Sequence, residues 1–393
     1  MSADPTTSSD FYDLEGLLDD DDRALLHRVR TFMDKEVEPV INEWWTRGRF
    51  PQHLIPGLAE LGIAGTPYAG HGCPGRSFLL DGMIAMELSR GDPSIATFYG
   101  VHSGLAMGSV GLCGSEEQRQ RWLPAMARME LIGAFGLTEP EAGSDVARGL
   151  RTTARRDGDD WVLDGVKKWI GNASFADLVV IWARDVETDR VLGFVVERGT
   201  PGFTAVDLED KIALRAVQNA VITLDGVRVP EENRLQEANG FRDTSTVLRM
   251  TRAGVAWSAV GCSRGAYEHA LAYARQRTQF GKPLVGFQLV QDLLVRMLGN
   301  ITASATMCAR VSQLQDAGRL RDEHASLAKA FCTARMRETV GWARELMGGN
   351  GILLENHVGR YVADAEAIYS YEGTREVNTL IVGRAITGAS AIV

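Results

Sequence analysis

The sequence predicts a mainly helical protein with a β domain in its middle, so that the chain reads α, then β, then α. Three observations carry that expectation. Apolar residues recur at three- and four-residue steps through the first third. Between about residues 132 and 235, short β-branched and aromatic runs alternate with turn dipeptides. The helical period then returns after Gly240. The expected boundaries are 1–131 for the first helical domain, 132–239 for the β domain and 240–393 for the second helical domain. The length of 393 residues agrees, since about 150 residues per domain gives roughly 2.6 domains.

Each element follows from local pattern. Leu25, Leu26, Val29, Phe32, Met33, Val37, Val40 and Ile41 define one face of a helix that starts near Asp21, with Pro39 expected to bend it. Residues 80–88 and 116–127 read as further helices. In the middle, Trp161, Val162 and Leu163 precede Asp164-Gly165, the run 178–182 follows, then 193–196, then 221–224 before Asp225-Gly226. Both Asp-Gly pairs read as turns between strands. Beyond Gly240, Leu289, Leu293, Met297 and Ile301 mark a helix face, and the alanine-rich helices imply a bundle with part of its surface buried in an oligomer.

Composition narrows the function. A net charge of −9 argues against a nucleic-acid partner, which needs a basic footprint. Cys73, Cys113, Cys262, Cys308 and Cys332 lack CxxC spacing and are odd in number, so reduced thiols are expected, with no disulfide framework and no metal. The first residues lack a basic stretch followed by an apolar one and run into Asp19, Asp20, Asp21 and Asp22, against a secretory leader. No run approaches the eighteen or so apolar residues of a membrane span. The last residues, Ala391, Ile392 and Val393, match no peroxisomal address. A soluble, cytoplasmic protein is the expectation.

Five segments can carry chemistry. FGLTEPEAGSD (135–145) supplies the hydroxyls of Thr138 and Ser144 and a flexible Gly143, which bring donors to a phosphate or a polar ring edge. KKWIGN (167–172) places Trp169 at a strand end beside Gly171, where an aromatic lies along a planar cofactor or simply joins the core. RQRTQFGKPL (275–284) interrupts two helices with guanidinium groups suited to a pyrophosphate. MGGNG (347–351) follows a helix as a glycine cap does. YEGT (371–374) sets Glu372 between an aromatic and Gly373. There exclusion of water raises the carboxyl pKa and suits it to general-base work, while an exposed capping glutamate is the ordinary alternative.

Taken together and in this order, these motifs resemble those of the acyl-CoA dehydrogenase family over about residues 14–387. The phrases KKWIGNASFADL, FRDTSTVL and GRAITG are similar to the branch holding glutaryl-CoA dehydrogenases and plant peroxisomal short-chain acyl-CoA oxidases. The resemblance implies an N-terminal helical domain, a middle β-barrel or sandwich domain and a C-terminal four-helix bundle. It also implies a homotetramer built as a dimer of dimers, with FAD between the domains. Phe135, Leu137, Thr138, Gly143 and Ser144 would line the flavin, with Trp169, Ile170 and Gly171 flanking its ring. Arg277, Phe280, Gln288, Glu345, Leu346, Met347, Gly348 and Gly349 would reach the FAD of a neighbouring subunit, and Thr374 would complete the site. Ser144, Ser245, Leu248, Arg249, Arg252 and Gly373 would face the acyl-CoA substrate.

The implied reaction is α,β-dehydrogenation of a short-chain acyl-CoA thioester to the trans-2-enoyl-CoA, a step of fatty-acid β-oxidation. Glu372 acts as base, hydride goes to flavin N5 and electrons go to an electron-transfer flavoprotein. Some relatives carry the base one residue before the arginine matching Arg252, and here that residue is Thr251, which cannot serve. Two departures define alternatives. Glutaryl-specific relatives have an arginine where this chain has Ala96, so decarboxylating glutaryl-CoA activity would leave a buried carboxylate unpaired. Most dehydrogenases of the family have threonine where this chain has Gly171, a change shared with the oxidases, which reduce O2 to H2O2. A catalytically inactive flavoprotein scaffold is the non-enzyme alternative, and retention of Glu372 argues against it.

Overall fold

A computed structural model describes residues 9–391. Residues 1–8 of the acidic leader, with Ile392 and Val393, lie outside the described residues. The N-terminal third is built from α1 (Asp20–Phe32), α2 (Glu38–Arg47), α3 (Ile55–Glu60), α4 (Phe78–Gly91), α5 (Pro93–Tyr99), α6 (Met107–Cys113) and α7 (Glu116–Ala127). Asp19 starts α1 by accepting the Asp22 N–H at 2.8 Å, one residue before the expected start. Ahead of Pro39 the helix passes through a π turn over Met33–Val37, after which Pro39 sits in the first turn of α2. A second π segment, Gly100–Ala106, joins α5 to α6. A two-residue hairpin, β1 (Ala69–Gly70) with β2 (Cys73–Pro74), precedes α4.

The middle of the chain forms one curled sheet of β3 (Gly133–Gly136), β4 (Thr153–Asp157), β5 (Asp160–Gly171), β6 (Leu178–Asp185), β7 (Val191–Glu197), β8 (Phe203–Asp207) and β9 (Asn219–Pro230). Its order is β3-β6-β4-β5-β9-β8, with β7 also on β6. A one-turn helix, α8 (Val146–Gly149), follows β3. The run 178–182 shows no alternation because both faces of β6 are buried. Leu178, Val180 and Trp182 face the helices, while Val179, Ile181 and Ala183 fill the inside of the curl.

Neither Asp-Gly pair is a turn. Asp164-Gly165 lies inside β5 and Asp225-Gly226 inside β9, opposite each other at a bulge where the register shifts between Leu163 and Gly165. The Asp164 carboxylate accepts the Gly226 N–H at 2.8 Å, so the Asp-Gly chemistry closes a bulge within two long strands.

The C-terminal part holds α9 (Phe241–Gln276), α10 (Gln288–Asp316), α11 (Asp322–Leu346), α12 (Val358–Ser370) and α13 (Arg375–Thr387). A short hairpin, β10 (Thr278–Gln279) with β11 (Lys282–Pro283), links α9 to α10. The bundle of α9 to α12 is also packed by α4, and a side chain at Gly261 or Gly265 would collide with the backbone of Met86 or Arg90. On α10 the expected apolar face holds at Met297 and Ile301 but not at Leu289, which is 81% exposed. Asp364 on α12 joins all three parts of the chain, accepting from Trp45 Nε1 of α2 at 2.9 Å and from the Leu214 N–H at 2.6 Å. No helix among the described residues is long and apolar enough to cross a membrane.

Candidate active site

The turn between α12 and α13 carries Glu372 at φ 51° and Gly373 at φ 87°. Glycine is at ease there; for a glutamate such backbone costs of order 1–3 kcal/mol and persists only where neighbours hold it. They do. Lys329 of α11 donates from Nζ to the carbonyls of Tyr369 and Gly373, both at 2.7 Å. Asn378 donates to the carbonyls of Gly373 at 2.8 Å and Thr374 at 3.0 Å. Thr374 accepts the Val377 N–H and caps α13, a structural task beside the cofactor role expected of it.

The Glu372 carboxyl is half-buried and accepts from Thr251 Oγ1 at 2.8 Å. Burial pushes its pKa up to about 7, against the Thr251 hydrogen bond and the charges of Arg252 and Lys329. Thr251 was dismissed from sequence as unable to act as base, and its contact with Glu372 was missed. The signal was present: a position that carries the base in some relatives must lie near the base of the others. Ser245, Leu248, Arg249 and Arg252 share one face of α9 by their three- and four-residue spacing. Arg249 pairs with Asp322 at 3.7 Å. Arg252 has no ion pair among the described residues, and its Nε is buried without a hydrogen-bond partner.

Nearby walls are apolar or neutral. A side chain at Gly104 would stand 3.2 Å from the Thr251 methyl, so the Gly100–Ala106 segment closes against this region. Tyr68 donates to the Gly104 carbonyl at 3.2 Å and lies over Gly108 and Gly111. Ala96 is buried on α5, one residue from Thr97, which contacts the Tyr371 phenol.

At the end of the sheet, the first two motifs meet: the Lys168 N–H donates to the Thr138 carbonyl at 2.9 Å. Phe135 and Leu137 are buried, Thr138 is half-buried, and Gly143 and Ser144 are exposed. Trp169 is 55% exposed on left-handed backbone, φ 68°, so it is not the core residue that a lone tryptophan usually is. Ile170 and Gly171 are buried, and Asn172 reaches the carbonyls of Phe98 and Gly133 at 3.3 and 3.4 Å. Sequence reading missed what ties the motifs together. Lys167, fully buried, donates to the Glu139 carboxylate at 2.8 Å and to the Leu137 carbonyl at 3.1 Å, and Glu139 also accepts the N–H groups of Arg151 and Thr152. In a string of charged residues nothing marks which lysine turns inward.

The remaining predicted cofactor residues gather at one end of the bundle. Arg277, Phe280 and Gln288 are exposed at or beside the β10–β11 hairpin, Phe280 by 94%. Leu346 and Met347 are buried; Glu345, Gly348 and Gly349 are exposed, with Gly348 at φ 60° just past the end of α11. Asn350 bonds the Tyr273 hydroxyl at 2.7 Å and fixes this turn to α9. No hydrogen bond among the described residues joins this set to the sheet-end set.

All five cysteines are free. Glu38, His269 and His357 place potential ligand atoms within 4.8 Å of one another. Burial together with the nearby charge of Arg360 holds both imidazoles below their usual pKa.

Comparison with known proteins identifies the family of this arrangement. Residues 19–130, 134–227 and 238–387 match the N-terminal, middle and C-terminal domain models of acyl-CoA dehydrogenase. Among solved structures, glutaryl-CoA dehydrogenase from Mycobacterium smegmatis is 39% identical, covering 98% of this chain and 99% of that one with TM-score 0.94. A second structure of glutaryl-CoA dehydrogenase from that organism, in complex with FADH2, is 37% identical, covers 98% of each chain and has TM-score 0.94. The mitochondrial short-chain specific acyl-CoA dehydrogenase of Bos taurus is 32% identical over 366 residues, 92% of this chain and 88% of that protein.

Proposed function

This chain belongs to the acyl-CoA dehydrogenase family, and from that premise we propose that it dehydrogenates a short-chain acyl-CoA thioester with Glu372 as the base. It is an oxidoreductase of CH–CH donors and its cofactor is FAD. The observation that carries the proposal is a carboxyl poised at about pH 7 in a turn of left-handed backbone, bonded to an uncharged threonine. A base whose pKa lies near working pH is deprotonated often enough to act and basic enough to take a weakly acidic α-proton.

The residues present fit the flavin. Trp169 offers an exposed aromatic face beside Ile170 and Gly171, and backbone at Gly143, Gly348 and Gly349 is open on the side where a side chain would stand. When bound, FAD supplies the acceptor for the hydride that leaves the β-carbon. The protein's part is to hold Glu372 against the α-carbon, with Thr251 fixing one carboxylate oxygen and Arg252 adding positive charge. Ser144, Ser245, Leu248, Arg249 and Gly373 line the path of the acyl-CoA in this reading.

The short chain is supported by Tyr68, which fills the space over Gly108 and Gly111 and bonds the Gly104 carbonyl, and a neutral chain by Ala96, which offers no cation to a distal carboxylate. Transfer of electrons to an electron-transfer flavoprotein is favoured by Val101, which stands 3.2 Å from where a side chain at Gly171 would begin and so narrows the gap left there. Gly171 itself favours the second reading, an oxidase that makes H2O2. A homotetramer is supported by the exposed Phe280, Leu289 and Val295 beside residues expected to reach a neighbouring subunit's FAD. We place the protein in the cytoplasm.

The test is anaerobic bleaching of the yellow holoenzyme by butyryl-CoA. Wild type should bleach and Glu372→Gln should not, with FAD retained in both; bleaching of the variant removes Glu372 as base. Faster turnover of glutaryl-CoA than of butyryl-CoA would overturn the neutral-chain reading, and stoichiometric H2O2 in air would establish the oxidase.

A further inference from the structure

Resting on the reading of Glu372 as base, we propose that Lys329 is its positioning residue: the buried ammonium clamps the two carbonyls that bracket the carboxylate and keeps the carboxylate charged.

Lys329 lies on α11 with no exposed surface. Among the described residues it forms no ion pair within 4.0 Å; its Nζ donates to the carbonyls of Tyr369 and Gly373, one on each side of Glu372. A buried ammonium with neutral acceptors is a costly way to hold a turn. It is also partly redundant as a hydrogen-bond donor, because Asn378 already donates to the Gly373 carbonyl at 2.8 Å. The Tyr369 carbonyl belongs to the last turn of α12, where a cation meets the negative end of the helix dipole. What a neutral donor would not provide is a fixed positive charge behind Glu372.

The charges around this pair come from four elements. Arg252 faces it from α9, Lys329 from α11, Glu376 from α13, and Glu372 with the Tyr371 phenol from the turn. Burial brings Lys329 down to about 8, with Glu372 and Glu376 opposing that fall and Arg252 adding to it, so the ammonium is mostly charged at neutral pH. Its charge and that of Arg252 both act to lower Glu372. Removing a cation beside a carboxylate raises the carboxylate pKa, and fewer base molecules are then ready at pH 7. The same change frees the Glu372–Gly373 turn, and misplacement of a base lowers kcat more than it raises KM.

The experiment uses FAD-loaded Lys329→Met, Lys329→Arg and Glu372→Gln with butyryl-CoA and an artificial dye, across pH 5.5 to 9. We expect Lys329→Met to lower kcat/KM at pH 7 about 10- to 100-fold, mostly in kcat, with the acid limb moved up by about one unit. Lys329→Arg keeps the charge and should bring the acid limb back toward wild type. If Lys329→Met fails to fold, Lys329→Gln keeps a donor without the charge and should show the same rise. Lys329→Met or Lys329→Gln with bound FAD, an unmoved acid limb and kcat/KM within about twofold of wild type would overturn the proposal. Activity retained in Glu372→Gln would instead overturn the reading of the base itself, and the two failures are thereby separate.

Discussion

Two glutamates held inside the protein, Glu87 and Glu372, are treated in opposite ways. Glu87, on α4, has no exposed surface and meets three guanidinium groups. Arg30 donates to it at 2.7 and 3.0 Å, Arg90 at 2.8 Å and Arg264 at 3.4 Å. Burial alone would raise its pKa, but Arg90, Arg30 and Arg264 together hold it well below the usual carboxylate range. Among the described residues Glu372 receives one hydroxyl hydrogen bond and no direct ion pair, and burial wins. The first arrangement locks α1, α4 and α9 together through a charge that never titrates near neutrality. The second leaves a proton acceptor unfinished, ready for a proton that the protein does not supply. A raised pKa alone does not separate structure from function. Asp364 also rises to about 7, from burial and the charge of Asp92, yet one of its oxygens already accepts from both Trp45 and Leu214 and ties α12 to the rest of the chain. Glu372 differs in being half-buried, on strained backbone, beside an Arg252 whose Nε has no hydrogen-bond partner among the described residues.

The contrast is broken most severely at Glu372. Glu372→Gln should lower turnover of butyryl-CoA by about 10²- to 10⁴-fold, the range for loss of a general base, while visible absorbance shows FAD still bound. The corresponding change at the structural carboxylate should leave chemistry nearly intact and reduce stability instead. Glu87→Gln leaves three guanidinium groups short of a countercharge and should cost about 3–5 kcal/mol in denaturant unfolding. Equal stability of Glu87→Gln and wild type would show that the cluster is solvated in a way the hydrogen bonds do not suggest.

The pH dependence of stability sharpens the comparison, because the two signs are opposite. Glu372 holds its proton more tightly when folded, so its contribution is fully present below about pH 4.5 and is lost as pH rises toward 7. Glu87 holds its proton less tightly when folded, so its contribution is present above the ordinary carboxylate range and is lost as pH falls below it. Unfolding at pH 4.5 and pH 8 should therefore show Glu372→Gln gaining stability relative to wild type at the higher pH. A variant with no such gain would mean that Glu372 is charged and well solvated throughout.

The order of helix, sheet and helix was legible because burial on one helix face leaves a period in the sequence, as from Leu25 to Ile41. The bulge at Asp164 and Gly226 was not, since an Asp-Gly pair favours the same backbone in a turn and in a bulge, and only the partner strand decides between them. At the site, YEGT was visible as a motif. Its supports were not: Lys329 comes from 43 residues earlier and Thr251 from 121 residues earlier. Lys167 and Lys329 sit among ordinary charged neighbours, and what turns them inward is the set of carbonyls and carboxylates that tertiary packing brings to them.

The smallest expected effect tests the single bond between Thr251 and Glu372. Thr251→Val preserves the shape of the side chain, including the methyl that meets Gly104, and removes only the hydroxyl. That hydroxyl favours the charged carboxylate, so its loss should raise the acid limb of kcat/KM above about 7 by less than one unit. Activity at pH 9, where the carboxylate is charged in either protein, should then differ little. A large loss that persists at pH 9 would mean that Thr251 orients the carboxylate rather than tuning it, and part of the positioning assigned to Lys329 would move to α9. A lowered acid limb would mean that the bond favours the protonated form. Glu372 would then be the donor to Thr251, and its rise to about 7 would have a cause besides burial.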